Sequence, residues 1–125
     1  MSVSQSEKIA RFRALHAAPG AFVIPNPWDA GSARLLASLG FPALATSSSA
    51  SAGTLGRRDY GLTRDVALAL ARQIVEAVDV PVSADLEDGF GVGPEVVRET
   101  VRLAAGIGLA GCSIEDAPGG AAAHD

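Results

Sequence analysis

The stretch SADLEDGFGVG, residues 83–93, sets Asp85, Glu87 and Asp88 within four positions and then places glycine at 89, 91 and 93. Carboxylates this close repel one another unless water screens them or a cation lies among them. A second acidic pair, Glu115 and Asp116, follows the apolar run AGCSI at 110–114. Magnesium takes oxygen ligands in an octahedron and keeps several waters while binding one or two carboxylates directly. Asp85, Glu87 and Glu115 are therefore candidate metal residues, some ligating directly and some through water. The plain alternative is a solvated acidic turn, since Asp and Gly are ordinary loop residues. Acids at two successive strand ends favour the metal.

Rival motifs are tested by counting. An EF-hand loop starting at Asp85 would need an oxygen ligand at its fifth position and Glu at its twelfth, but Gly89 and Val96 stand there. GFGVGP approaches a dinucleotide fingerprint, yet Pro94 replaces the third Gly and the motif follows the third expected strand. The glycines instead let backbone pass close to a ligand. TSSSASAG, 46–53, can present hydroxyls and backbone N–H groups, so Ser47, Ser48 and Ser49 are candidates for cradling a carboxylate or phosphate; a flexible connection is the alternative. Neither His16 nor His124 belongs to a recognisable triad, and Cys112 sits in an apolar run as a core residue would. Asn26 and Trp28 end the first expected strand, where they would line a pocket or cover its mouth.

Positioning these groups requires a scaffold. Ser4 and Glu7 fit a capping box, followed by an apolar stripe of Ile9, Phe12 and Leu15, and Pro19-Gly20 ends that helix. Asp29 caps a second helix that Gly40 stops, Thr63 caps a third carrying Val66, Leu70, Ile74 and Val78, and Pro94 opens a fourth. Between them, 21–25, 42–47, 80–84 and 110–114 read as four short apolar strands, with a loop at 48–61 and an unstructured tail at 117–125. Alternating strands and helices indicate an α/β fold with a parallel sheet covered by helices. Such sheets carry their sites at the carboxyl ends of the strands. Adjacent strands lie ~4.8 Å apart, so acids leaving neighbouring strands share one small space.

The composition sets outer limits. The chain has 125 residues, 48% hydrophobic and 19% charged, which suits one globular domain. A formal charge of −4 argues against nucleic acid and anionic membrane surfaces as partners. A single cysteine forms no internal disulfide, no run is long enough to span a membrane, and the N-terminus lacks a signal-peptide pattern; a cytoplasmic setting is expected.

PNPWDAGSARLLASLGF, LGRRD, ADLEDGFG and SIEDA occur in an order and spacing that resembles the isocitrate lyase/phosphoenolpyruvate mutase superfamily, from about Ala21 to Asp116. The resemblance implies a (β/α)8 TIM barrel of which 1–125 is the N-terminal half, with only the first four strands present. It implies a magnesium-dependent lyase or mutase (Mn2+ being the other candidate ion) that acts on a 2-oxo acid or its precursor through an enolate, and a homo-oligomer. By position, Asp85 resembles the principal metal carboxylate, Glu87 and Glu115 the other acids of the site, and Asp59 an acid near the metal's water shell. Ser47, Ser48 and Ser49 fall on the loop that holds the substrate's acidic end; Asp59 and Glu87 are the implied catalytic residues. One departure is visible: the isocitrate and methylisocitrate lyases carry a Lys-[Lys/Arg]-Cys-Gly-His loop soon after the Glu-Asp pair, whereas APGGAAAHD follows here. A related barrel transferase, such as a ketopantoate hydroxymethyltransferase, a metal-dependent aldolase, and an inactive remnant are the alternative readings.

Overall fold

Each long helix starts at a residue whose chemistry demands it. The Ser4 hydroxyl accepts from Glu7 N at 3.2 Å, and the Glu7 carboxylate accepts from Ser4 N at 2.9 Å, which opens α1 (Gln5–Ala17). Asp29 and Ser32 form the same reciprocal pair on α2 (Ala30–Ser38), and Thr63 accepts from Val66 N to start α4 (Arg64–Ala77). Pro94 takes the first turn of α5 (Pro94–Gly106), where a missing N–H costs nothing. These features come from a computed structural model, which describes residues 2–117. Of the tail expected at 117–125, Ala117 is an exposed bend and the remainder lies outside the described residues.

The strands β1 (Leu44–Ala45), β2 (Val82–Asp85) and β3 (Gly111–Ser113) form one parallel sheet in the order β1-β2-β3. Ala45 pairs with Ser83, and Asp85 with Ser113. Along β2 the side chains alternate: Val82 and Ala84 are buried in the core, while Ser83 and Asp85 lie half-buried on the other face. Leu44, Leu86, Leu68, Ala71, Ile74 and Ala104 complete that core between sheet and helices. The opposite face of the sheet is the more polar one.

Several expectations are corrected. Residues 21–25 do not form a strand. Ala45 N does donate to the Pro25 carbonyl at 3.1 Å, but the next ladder bond would need an N–H from Pro27, which has none. The Asn26 side chain substitutes, donating to the Ala45 carbonyl at 2.9 Å. The expected loop at 48–61 begins with a short helix, α3 (Ser48–Thr54), because Ser47 caps it through Ala50 N. In α1, Ile9, Phe12 and Leu15 are only half-buried, and the buried residue is Lys8. In α4, Ile74 is buried as expected, as is Val78 just past the helix end, but Leu68, Ala71 and Val75 accompany them in place of the half-buried Val66 and Leu70. Trp28 is 63% exposed.

The fate of α1 explains its burial pattern. Lys8 Nζ donates to the Val78 carbonyl at 2.9 Å, and Gln5 Nε2 donates to the carbonyls of Ala105 and Leu109 at 2.7 and 3.0 Å. All three acceptors precede β2 or β3, so α1 lies across the amino ends of the strands. From there the Phe12 ring reaches Gly111, where an added Cβ would meet Phe12 Cε1 at 2.8 Å and Ser83 Oγ at 3.5 Å. Glycine is needed there for the ring to close over the sheet. Among the described residues no helix is long and apolar enough to cross a membrane.

Gly111→Ala should therefore lower the melting temperature by about 4 °C, the equivalent of about 1 kcal/mol of overpacking in a domain of this size. Combining it with Phe12→Leu should cost less than the sum of the two single changes. Additive losses in thermal unfolding would show that the ring does not occupy this space.

Candidate functional site

Asp85 ends β2 and its carboxylate is held from both sides. Oδ2 accepts from Ser48 N at 3.1 Å and from Ser48 Oγ at 2.7 Å, while Oδ1 accepts from Glu87 N at 3.1 Å. The Asp85 N–H in turn donates to the buried Thr46 hydroxyl at 3.1 Å. Glu87 is next. Its backbone is left-handed, with φ of 54°, and it is 4% exposed. Its carbonyl accepts from Glu115 N at 2.7 Å, just beyond β3. One residue's main chain thus joins the ends of two neighbouring strands.

Glu115 is exposed, and its Oε2 accepts from the Tyr60 hydroxyl at 2.7 Å. Tyr60 is also left-handed, with φ of 59°, and its N–H donates to Asp59 Oδ1 at 3.0 Å. The Glu115 carboxylate accepting its proton, with burial and the neighbouring acids adding to the effect, pushes the Tyr60 hydroxyl up to about 12. Burial, reinforced by the charges of Asp59, Asp85, Asp88 and Glu115, pushes the Glu87 carboxyl up to about 7. Four other acids are therefore close enough to influence one buried side chain.

Among the described residues no basic side chain pairs with Asp85, Glu87 or Glu115. Among the described residues the ion pairs are Arg72–Glu76, Arg98–Glu95 and Arg102–Glu99, all on exposed helix surface. Neither do three acid, His or Cys side chains close into a ready cage for a metal ion among the described residues. Open oxygen donors with unrelieved negative charge suit a hydrated hard cation, which takes one or two carboxylates and keeps its waters. The enclosed cavity beside Thr46, Ser48, Asp85 and Glu87 measures about 10 Å³, room for about one water. A substrate would have to lie on the open polar face of the sheet.

The candidates from the sequence are thus sorted. Asp85, Glu87, Glu115 and Asp59 are brought together at the carboxyl ends of the strands. Ser48 binds Asp85, Ser47 caps α3, and Ser49 is exposed on the same rim. Thr46 and Tyr60 escaped the sequence reading; the signal for Tyr60 was a hydroxyl directly after Asp59 in LGRRDYG. Cys112 is half-buried and burial pushes its thiol up, as a core role requires.

Glu87 binds its proton more tightly folded than unfolded, so its contribution is complete below about 4.5 and is lost as pH rises through about 7. Glu87→Gln, in chelator, should therefore raise the melting temperature at pH 8 by about 4 °C, or about 1 kcal/mol after allowing for water near the carboxylate. The gain should vanish at pH 4.5. An equal gain at both pH values would locate the effect elsewhere than in the charge.

Comparison with known proteins agrees with this geometry. The phosphoenolpyruvate phosphomutase family pattern matches residues 12–125. A 2,3-dimethylmalate lyase from Eubacterium barkeri is 40% identical over 109 residues, covering 86% of this chain and 37% of that protein. A candidate lyase/mutase from Burkholderia cenocepacia J2315 superposes with a TM-score of 0.90 at 56% identity, over 92% of this chain and 42% of its own. The phosphoenolpyruvate phosphomutase from Streptomyces platensis subsp. rosaceus does so with a TM-score of 0.81 at 34% identity, over 86% and 38%. The chain spans about two fifths of the length of these relatives. It has the α/β fold of a fragment of their barrel, and it belongs to the phosphoenolpyruvate phosphomutase family, within the PEP mutase/isocitrate lyase superfamily.

Proposed function

We propose that the protein carrying this chain is a Mg2+- or Mn2+-dependent lyase or mutase that makes or breaks a C–C or C–P bond beside a 2-oxo acid, through an enolate, and that residues 1–125 form the first half of its (β/α)8 barrel. The observation that carries the reading is the buried Glu87, joined by its main chain to Asp85 and Glu115 and given no basic partner among the described residues. Relatives with names as different as 2,3-dimethylmalate lyase and phosphoenolpyruvate phosphomutase support the reaction class.

In this reading Asp85 is the principal metal carboxylate, with Glu87 and Glu115 acting directly or through water. A divalent cation held there supplies Lewis-acid stabilisation of the negative charge that develops on the oxygen of a 2-oxo acid. The chain's own groups set the stage for this. Ser48 fixes the rotamer of Asp85 through two hydrogen bonds. Tyr60 orients Glu115 and keeps Asp59 beside the cluster. In the cation-free site burial and the neighbouring acids push the Glu87 carboxyl up to about 7, and a bound cation would lower it, so Glu87 and Asp59 are assigned to catalysis by their place beside the cation. Ser47, Ser48 and Ser49, on the rim beside Asp85, are assigned to the acidic end of the substrate.

Charge crowding alone makes Asp85 look like a side chain whose removal would relieve repulsion. Its carboxylate instead satisfies three donors, so alanine would leave Glu87 N and both Ser48 groups without their partner. Asp85→Asn is the better test, because it keeps the shape and removes the charge. In the full-length protein it should weaken Mn2+ binding by at least about tenfold in a calorimetric titration. It should also reduce oxo-acid release from the substrate to below about 1% of wild type. Unchanged Mn2+ affinity would overturn the ligand role.

A further inference from the structure

Thr100 lies in the second turn of α5, far along the chain from the acids, and is fully buried at 0% exposure. Its hydroxyl donates to the Gly89 carbonyl at 2.7 Å and lies 3.5 Å from Arg64 Nη1, the first residue of α4. A buried hydroxyl is costly unless it is bonded, and a valine would fill the same volume. The bond must therefore matter to what it holds.

What it holds is the turn that carries Glu87. Gly89 N donates to the Leu86 carbonyl at 2.9 Å, closing a four-residue turn with Glu87 and Asp88 at its centre. Thr100 pins the other side of the same residue. The segment is conformationally expensive: Glu87, Gly89, Phe90 and Gly93 all have positive φ, at 54°, 89°, 65° and 96°. Two of these are not glycine, and such a residue is strained at positive φ unless its surroundings impose it. The wall of α5 does impose it from one side. An added Cβ on Gly89 would lie 2.8 Å from Val97 Cγ2, and one on Gly91 would lie 2.6 Å from Val96 Cγ1. Packing excludes other positions but does not choose a peptide orientation. The directional bond from Thr100 does, because the Gly89 carbonyl direction fixes the peptide that leads into left-handed Phe90.

We propose that Thr100 is a positioning residue: its hydroxyl pins the Gly89 carbonyl and thereby holds the Leu86–Gly89 turn in the shape that keeps Glu87 among Asp59, Asp85 and Glu115. The half-buried Arg64, whose Nε is buried with no hydrogen-bond partner among the described residues, stands behind it on α4, with Nη1 3.5 Å from the Thr100 hydroxyl. The proposal rests on reading these acids as a divalent-cation site, and it adds a residue that touches neither cation nor substrate.

The test compares Thr100→Val, which keeps the volume and loses the hydroxyl, with Thr100→Ser, which keeps the hydroxyl, in the full-length protein. Two readouts are needed: amide hydrogen exchange across 86–93, and Mn2+ affinity by calorimetry. Thr100→Val should exchange at least about tenfold faster in 86–93 alone and bind Mn2+ about 10- to 100-fold more weakly, the range for residues that orient metal ligands. Thr100→Ser should restore both. Wild-type exchange and affinity in Thr100→Val would overturn the proposal, as would a Thr100→Ser protein as impaired as the valine variant, since the γ-methyl would then be the important group. If Thr100→Val does not fold, Thr100→Ala against Thr100→Ser carries the same comparison. A wild-type protein that takes up no Mn2+ overturns the cation reading and the proposal's metal arm together, whereas the exchange readout decides by itself whether Thr100 holds the turn.

Discussion

The main chain of Glu87 is the constraint on which the site depends. Its N–H is bonded to the Asp85 carboxylate and its carbonyl to Glu115 N, so a single left-handed residue ties the exits of β2 and β3. The magnitudes favour this arrangement despite its strain. One non-glycine residue at positive φ costs roughly 1–2 kcal/mol, whereas a hydrogen bond to a charged group contributes about 1.5–3 kcal/mol. Asp85 accepts three such bonds. The surplus holds the backbone in place while burial, with the neighbouring acidic charges adding to it, pushes the Glu87 carboxyl up to about 7. Backbone order and side-chain frustration thus coexist at one point. That is how a protein stores negative charge for a ligand instead of dispersing it over the surface.

The two ends of the sheet divide the work. At the amino end, α1 is fastened by Lys8 and Gln5 to carbonyls that precede β2 and β3, and Phe12 closes over Gly111. Those contacts are structural, and none involves an acid of the site. At the carboxyl end the side chains are small hydroxyls and carboxylates, and the hydrogen bonds run between loops. Thr46 and Ser48 bond Asp85 beside β1, the Glu87 main chain links Asp85 to Glu115 beyond β3, and Tyr60 bonds the Glu115 carboxylate. Parallel strands make this separation possible, because every strand delivers its last residue to the same rim.

Much of this was legible in the sequence, and the reasons are local. The capping pairs Ser4–Glu7 and Asp29–Ser32 and the proline at Pro94 act within one helical turn, so spacing alone reveals them. The clustering of Asp85, Glu87 and Glu115 followed from parallel topology once strands and helices were seen to alternate. What failed depended on partners remote in sequence. Residues 21–25 look like a strand, but a strand needs donors, and Pro27 removes the one that its ladder required. Lys8 reads as a solvent-facing residue until its acceptor, 70 residues away, is known. Nothing in the sequence shows that Ser48 also bonds Asp85, 37 residues away. The role of Thr100 is invisible for the same reason: a threonine in a helix has no distinguishing neighbour in sequence, and only folding brings Gly89 to it.

The relatives sharpen what this part of the barrel contributes. A 2,3-dimethylmalate lyase and a phosphoenolpyruvate phosphomutase, whose names imply different bonds, both align with the same stretch at 40% and 34% identity. A segment common to different bond chemistries carries what those chemistries share. In the proposed reading that shared part is the charged turn around Glu87, its acceptor on Asp85 and its brace on α5, all of which act on the oxygen side of a 2-oxo acid. The sheet face that presents Asp85 offers Ser83 and Ser113 alongside it, side chains too small to discriminate one organic acid from another by shape. Selection of the bond to be broken is thus assigned to groups that meet the substrate from across this face, while stabilisation of the developing charge belongs to the turn itself.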